Sequence, residues 1–173
     1  MSNVGREGRS FERITPDDLG RLAHIAAADR AEFFGKHQAW AKLYGSRFIA
    51  AALCQGAALH YLYGKVGVQD FDIYSFYSAH PKRPWYAKRN KHCDFGLPNF
   101  GRSPDRPDMV GRRVDLLGRG IDYRPGEDPA EAIRRWLRDG RTQSARLLAQ
   151  KAVVLLEPLE RLGEQVWPPT SKP

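Results

Sequence analysis

The sequence predicts an α/β (α+β) domain: a small mixed β-sheet flanked by helices, with further helices towards the C-terminus. Three observations predict it. Thr15-Pro16-Asp17-Asp18 opens a run of apolar residues at helical spacing. Two short strand patterns, Asp70 to Phe76 and Arg112 to Leu117, lie far apart in the chain, and two more helix signals follow residue 128. The 173 residues, 42% hydrophobic and 28% charged, suffice for one core.

The elements follow in order. Residues 1–12 are polar and Gly/Arg-rich and read as a mobile arm, ahead of a single domain over 13–167. In the first helix Thr15 is the N-cap, Pro16 takes the first position and acids fill the first turn. Its apolar face runs from Leu19 through Leu22, Ala23, Ala26 and Ala27 to about Lys36, and a second short helix covers Trp40 to Tyr44. Phe48 to Cys54, bounded by glycines, reads as a buried strand, although periodicity alone leaves helix open. Gly56 to Tyr63 reads as a short helix stopped by Gly64. Residues 79–111 are too irregular to assign. Asp128-Pro129 opens a helix closed by Gly140, and another begins at Thr142 or Gln143 and runs to about Glu157, so the C-terminal helices span 128–157. Residues 168–173 are a loose tail.

Composition removes several function classes. The longest apolar run is seven residues, far below the ~20 of a membrane-spanning helix. Two cysteines make neither a disulfide framework nor a four-thiolate zinc site, and the N-terminus carries no apolar signal region. A cytoplasmic protein with no membrane partner is expected. Phosphate-loop, dinucleotide, zinc-protease and nucleophile-elbow motifs are all absent. Twenty-eight Lys and Arg against twenty Asp and Glu give a net charge of +8, which favours an anionic partner.

The most informative stretch is Gln69-Asp70-Phe-Asp72-Ile-Tyr74. On a strand, Asp70 and Asp72 share one face while Phe71 and Ile73 go to the other. Two carboxylates aimed together repel unless a cation joins them, and hard oxygen donors suit Mg²⁺ or Mn²⁺. A third acid, Asp115, sits within the apolar strand Val114-Asp-Leu-Leu117. If the two strands are neighbours, the acids converge into a set suited to two-metal phosphoryl or nucleotidyl transfer. The alternative is a solvated face, or ion pairs with Arg112 and Arg113. Upstream, Leu53-Cys-Gln-Gly56-Ala-Ala-Leu59 places a glycine turn at the start of a helix, where free backbone N–H groups cradle phosphate. An ordinary strand-to-helix turn reads the same way.

This order of strand, glycine turn, short helix, D-x-D strand and later strand with a third Asp resembles the DNA polymerase β-like nucleotidyltransferase superfamily. Gln55-Gly-Ala-Ala-Leu59 followed by Asp70-Phe-Asp-Ile-Tyr74 is most similar to the AbiEii-type toxin nucleotidyltransferases, with their Gly-Gly-Thr/Ser-Ala-Leu turn and Asp-Ile-Asp-Leu-Phe strand. The resemblance covers roughly residues 45–120, with a weaker echo near 147–156. It implies Mg²⁺-dependent transfer of a nucleoside monophosphate from an NTP to a hydroxyl on RNA, protein or a small molecule, and a toxin that has a cognate antitoxin. Carried over, Asp70 and Asp72 are the metal pair, Asp115 the third carboxylate and activator of the acceptor hydroxyl, and Gly56 and Ala57 the phosphate turn. Gln55 departs from the pattern by replacing the first glycine, and Ala57 by replacing Ser or Thr, so a hydroxyl that would touch the triphosphate is missing.

On a helical wheel Lys151 falls within the apolar arc of Leu147, Leu148, Ala152 and Leu155. It is either a snorkelling or paired lysine, or a phosphate ligand like the lysine in a comparable helix of those toxins. Between residues 79 and 120, ten basic residues face four acids, which is six of the net eight charges. Lys82, Arg83, Lys88, Arg89, Lys91, Arg112 and Arg113 are the candidate phosphate or nucleic-acid contacts there, with Trp85 and Tyr86 as stacking rings for an RNA or tRNA acceptor. His60 reads as packed or exposed rather than catalytic, and His92-Cys93 has no second pair at zinc spacing. Two other functions fit the same residues: a catalytically degenerate binding or antitoxin-type module, and a metal-dependent nuclease.

Overall fold

A computed structural model describes residues 8–85, 91–96 and 98–170. The chain forms α1 (Pro16–Lys36), α2 (Gln38–Tyr44), β1 (Phe48–Cys54), α3 (Gln55–Tyr63), β2 (Phe71–Ser78), β3 (Lys91–Asp94), β4 (Arg113–Ile121), α4 (Pro129–Asp139), α5 (Gln143–Ala149), β5 (Val153–Glu157) and β6 (Gln165–Trp167). The six strands make one sheet in the order β3-β4-β2-β1-β5-β6. Only β2 and β4 pair in parallel; all other neighbours are antiparallel. The α/β class expected from the sequence is what forms.

Alternation along the strands separates two cores. Ala51, Leu53, Phe71, Ile73, Val114, Leu116 and Val154 meet α1 and α3 on one face. Ala50, Ala52, Tyr74, Phe76, Val153 and Leu155 meet α4 and α5 on the other. Three consecutive alanines in the central strand, none exposed, let helices approach closely from both sides. The first helix is fixed as its sequence indicates, with a reciprocal capping box between Thr15 and Asp18 and Pro16 in the first turn. Among the described residues no helix is long and apolar enough to cross a membrane.

Two expectations change. The last helix stops at Ala149, and Val153–Glu157 is a strand beside β1. A strand buried on both faces has no polar side, so its unbroken apolar run looks like the continuation of a helix. At the other end, residues 8–12 are tied down rather than mobile. Ser10 exchanges backbone hydrogen bonds with Val68, and the Glu12 carbonyl accepts a hydrogen bond from the His60 ring. Residues 1–7 of the expected arm, and 171–173 of the tail, lie outside the described residues.

Candidate active site

The site lies at one end of the sheet, where β1 turns into α3 and where β2 and β4 begin. A histidine organises this corner. Buried His60 accepts a hydrogen bond from the Gly67 N–H at Nδ1 (3.0 Å), which leaves Nε2 to donate to the Glu12 carbonyl (2.9 Å). The ring is thus a neutral tautomer stapling the 64–70 loop to the N-terminal segment. Its packed role is the one the sequence suggested.

From that loop the chain delivers Asp70 just ahead of β2 and Asp72 one residue into it. Parallel pairing places Asp72 directly in register with Asp115 of β4, while antiparallel pairing puts Cys54 on its other side. Register partners on adjacent strands share a face and stand about 5 Å apart. Burial first, then the charges of Asp70 and Asp115, push the Asp72 carboxyl up to about 7, with Lys151 and Arg113 opposing. Burial and the Asp70 charge also raise Asp115 against the pull of Arg113. Both shifts express burial first and, after it, the repulsion anticipated for clustered carboxylates.

Arg113 answers part of that repulsion. Its Nη2 lies 2.8 Å from Asp70, its Nη1 3.2 Å from Asp105 and its Nε 3.2 Å from Asp115. The Nε is buried and makes no directed hydrogen bond, so its tie to Asp115 is a charge contact. Arg113 is therefore a counter-cation among the acids rather than a free nucleic-acid contact, as the ion-pair alternative foresaw. Among the described residues no three His, Cys, Asp or Glu side chains close on a common point as metal ligands do.

Beside the acids is a cleft of about 190 Å³ lined by Gln55, Gly56, Ala57, Asp70, Asp72 and Lys151, with Arg9, Gly67 and Gln69 completing it. Helix α3 begins here with no side-chain cap on its N-terminus; the Gln55 N–H is held by the Ala152 carbonyl, and Gly56 and Ala57 after it line the cleft. Gln55 has φ 64, and is the one non-glycine residue with positive φ among those described. The position where the resemblance calls for glycine thus has the backbone glycine adopts freely, held here by a residue that pays for it in strain. A Cβ on Gly56 would meet nothing within 4 Å, so the turn is open on this side.

Five candidates from the sequence, Asp70, Asp72, Gly56, Ala57 and Lys151, thus line one cleft, with Asp115 adjoining through its strand. Lys151 arrives by a different route from the one expected. It is exposed on the bend between α5 and β5, not on the apolar arc of a helix.

The basic segment fares otherwise. Arg112 is buried and donates to the carbonyls of Phe100, Gly8 and Gln69, so it is structural. Lys91 lies on the α1 side of the sheet, paired with Asp29 and Glu32 at 3.1 Å each. Lys82 and Arg83 follow the far end of β2, some 20 Å along the strand from Asp72 at ~3.3 Å per residue. Trp85, expected as a stacking surface, is buried: its ring stacks on Tyr77 at 4.2 Å and covers Gly118 of β4. Lys88, Arg89 and Tyr86 lie outside the described residues. Sequence reasoning missed Arg9, which its polar surroundings hid, and His92, which sits in register with Asp115.

No family model matches the chain, and neither a curated protein nor a solved structure shows significant similarity to it.

Proposed function

We propose that the protein is a divalent-metal-dependent nucleotidyltransferase, moving a nucleoside monophosphate from an NTP to an acceptor hydroxyl. The observation that carries this reading is the pairing of Asp72 with Asp115 in register, beside a cleft that joins Asp70, an uncapped helix start and Lys151. The donor set suits the metal: hard carboxylate oxygens, one of them raised to about 7 by burial and its neighbours. Asp70 and Asp72 would hold the ion, and it would supply charge neutralisation at the phosphates. It would have to compete with the Arg113 guanidinium for Asp70 and Asp115.

The chain's own groups have distinct parts. The Gly56 and Ala57 amides at the start of α3 and the ammonium of Lys151 bind the triphosphate. At 190 Å³ the cleft is smaller than the roughly 300–1,000 Å³ of common ligand pockets, so it takes the phosphates and leaves the base outside. Asp115 accepts the proton of the acceptor hydroxyl, whose oxygen bonds to the α-phosphorus as the bond to pyrophosphate breaks. Gln55 and Ala57 contribute no hydroxyl to this cleft, so phosphate binding rests on the backbone and on the cations of Lys151 and Arg9.

Calorimetric titration with NTPs in Mg²⁺ tests the reading, with Asp70→Ala and Asp72→Ala as comparisons. Micromolar binding in the wild type that weakens at least tenfold in both variants is expected. Equal affinity in all three, or none in any, overturns the metal site. Transfer of radiolabel from NTP to total RNA, protein or small molecules then identifies the acceptor. One observation favours a second reading, a nucleotide-binding module without catalysis: Arg113 already neutralises Asp70 and Asp115. Metal-independent NTP binding without transfer marks that case.

A further inference from the structure

Much of the positive charge that the sequence concentrates between residues 79 and 120 is already engaged. In the 79–120 segment Arg112 is spent on backbone carbonyls, Arg113 and Arg106 on aspartates, and Lys91 on the acids of α1. Lys82, Arg83 and Arg102 in that segment remain exposed, and so, outside it, do Arg124, Arg138 and Arg141. The last three have no salt bridge and no side-chain hydrogen bond among the described residues. They cluster around α4, which packs with α5 on the sheet face that carries Asp72 and Asp115.

Two of them, Arg124 and Arg141, line a pocket of about 280 Å³ with the ring of Trp136, the carboxylate of Asp139 and the Asp122–Arg135 ion pair. Trp136 is anchored edge-on against Phe76, and among the described residues Asp139 has no hydrogen-bond partner. This combination is more particular than a basic patch. Guanidinium groups take a phosphate, an indole face takes an aromatic base, and a free carboxylate takes a base amino group or a ribose hydroxyl. An acidic peptide has the charge but nothing for the ring or the carboxylate. From Arg141 the seven-residue helix α5, about 10 Å long, leads past exposed Arg146 to Lys151 in the cleft. That path is the length of a few nucleotides.

We propose that the α4–α5 side of the molecule is a docking surface for a single strand of nucleic acid, with one base in the Trp136 pocket between Arg124 and Arg141 and the backbone following α5 towards Lys151. Only the fate of the strand, as acceptor at the cleft, rests on the transferase reading. The docking surface itself stands on free guanidinium groups, an indole and a path.

The test is fluorescence anisotropy with a fluorescein-labelled twelve-nucleotide RNA and the DNA of the same sequence, in the absence of NTP and metal. The double variant Arg124→Glu/Arg141→Glu should bind RNA at least tenfold more weakly. The slope of log affinity against log salt should fall by about 1.4 for two lost phosphate contacts. Trp136→Leu should also weaken binding about tenfold without the loss of salt slope, an outcome that a purely electrostatic surface does not produce. Because Trp136 packs on Phe76, thermal unfolding and the NTP titration of that variant must match the wild type for the result to count, and the arginine variants carry the test on their own. Lys82→Glu/Arg83→Glu should stay within twofold of the wild type. Tighter binding of RNA than DNA assigns the Asp139 contact to the ribose hydroxyl, and equal binding assigns it to the base; both support the surface. Unchanged affinity in the double variant, an equal loss in Lys82→Glu/Arg83→Glu, or displacement of RNA by poly-glutamate as effectively as by unlabelled RNA overturns it. Loss of NTP binding at the cleft would overturn the transferase reading and leave this one standing.

Discussion

Strands β2 and β4 pair residue for residue, yet where they begin their two faces are chemically opposite. Towards α1 and α3 the register stacks Phe71 on Val114 and Ile73 on Leu116, all buried and apolar. Towards the other side the same two strands stack Asp72 on Asp115. The first face accounts for folding through area removed from water, at roughly 25 cal/mol per Å². The second, at the Asp72–Asp115 row, works against folding, because it gathers partly buried carboxylates with one guanidinium to answer them. That row, where the sheet opposes its own stability, is the one on which the proposed function rests.

The comparison is most strongly broken by one substitution on each face. Ile73→Ala should lower the unfolding free energy by about 2–5 kcal/mol at any pH, the usual cost of a large-to-small change in a packed core. Asp72→Asn should do the reverse above neutral pH. The folded Asp72 carboxyl titrates near 7 against an ordinary value of 3.8, so the native state holds its proton more tightly than the unfolded chain does. Its contribution is complete below pH 3.8 and is lost as pH rises through 7. The asparagine variant should therefore gain about 1–3 kcal/mol over the wild type at pH 8, discounted for partial solvation, and nothing at pH 4. Urea unfolding at the two pH values reads both. A variant less stable than wild type at pH 8 would mean that the Asp72 charge is satisfied in the fold.

Arg113 sharpens the same contrast. Arg113→Ala removes the cation from Asp70, Asp105 and Asp115, and should cost about 2 kcal/mol at pH 7, less than a fully buried pair because the side chain is 26% exposed. The same change should tighten Mn²⁺ binding about tenfold, since ion and guanidinium compete for the same oxygens; a tenfold change corresponds to about 1.4 kcal/mol. Electron paramagnetic resonance of free Mn²⁺ measures it directly. Weaker Mn²⁺ binding in the variant would make Arg113 a positioning residue for the acids instead of a competitor.

What could be read from the sequence follows the physics of each element. Local rules were enough where they act alone. Thr15 and Pro16 fix a helix start, Gly64 and Gly140 adopt the left-handed caps their helices need, and alternation in Asp70–Phe76 separates its faces. The D-x-D pair and the glycine turn were legible because strand period and helix start are local. The register of Asp72 with Asp115 was not, since it depends on a parallel crossover of some forty residues. Charge was least legible. Adjacent Arg112 and Arg113 look alike in sequence, but strand alternation sends one into the interior to bind carbonyls and the other to the acids. Lys151 was placed in the right cleft by the wrong element, because a strand buried on both faces carries no periodic signature to separate it from a helix.

The smallest effect concerns the turn that joins the two faces. Gln55 carries β1 into α3 with φ 64, its N–H bonded to the Ala152 carbonyl at 3.0 Å. A non-glycine side chain in this conformation costs about 1–2 kcal/mol, and a glycine there regains most of it while losing some entropy from the unfolded chain. Gln55→Gly should thus stabilise the protein by about 0.5–1 kcal/mol, a rise of about 1–4 °C in Tm for a chain of this size. The same change removes a side chain that lines the cleft. If Gln55 only fills the place of glycine, NTP affinity should hold or improve as stability rises. If the strained glutamine is itself a ligand for the nucleotide, stability and affinity will move in opposite directions, and thermal unfolding with and without NTP separates the two.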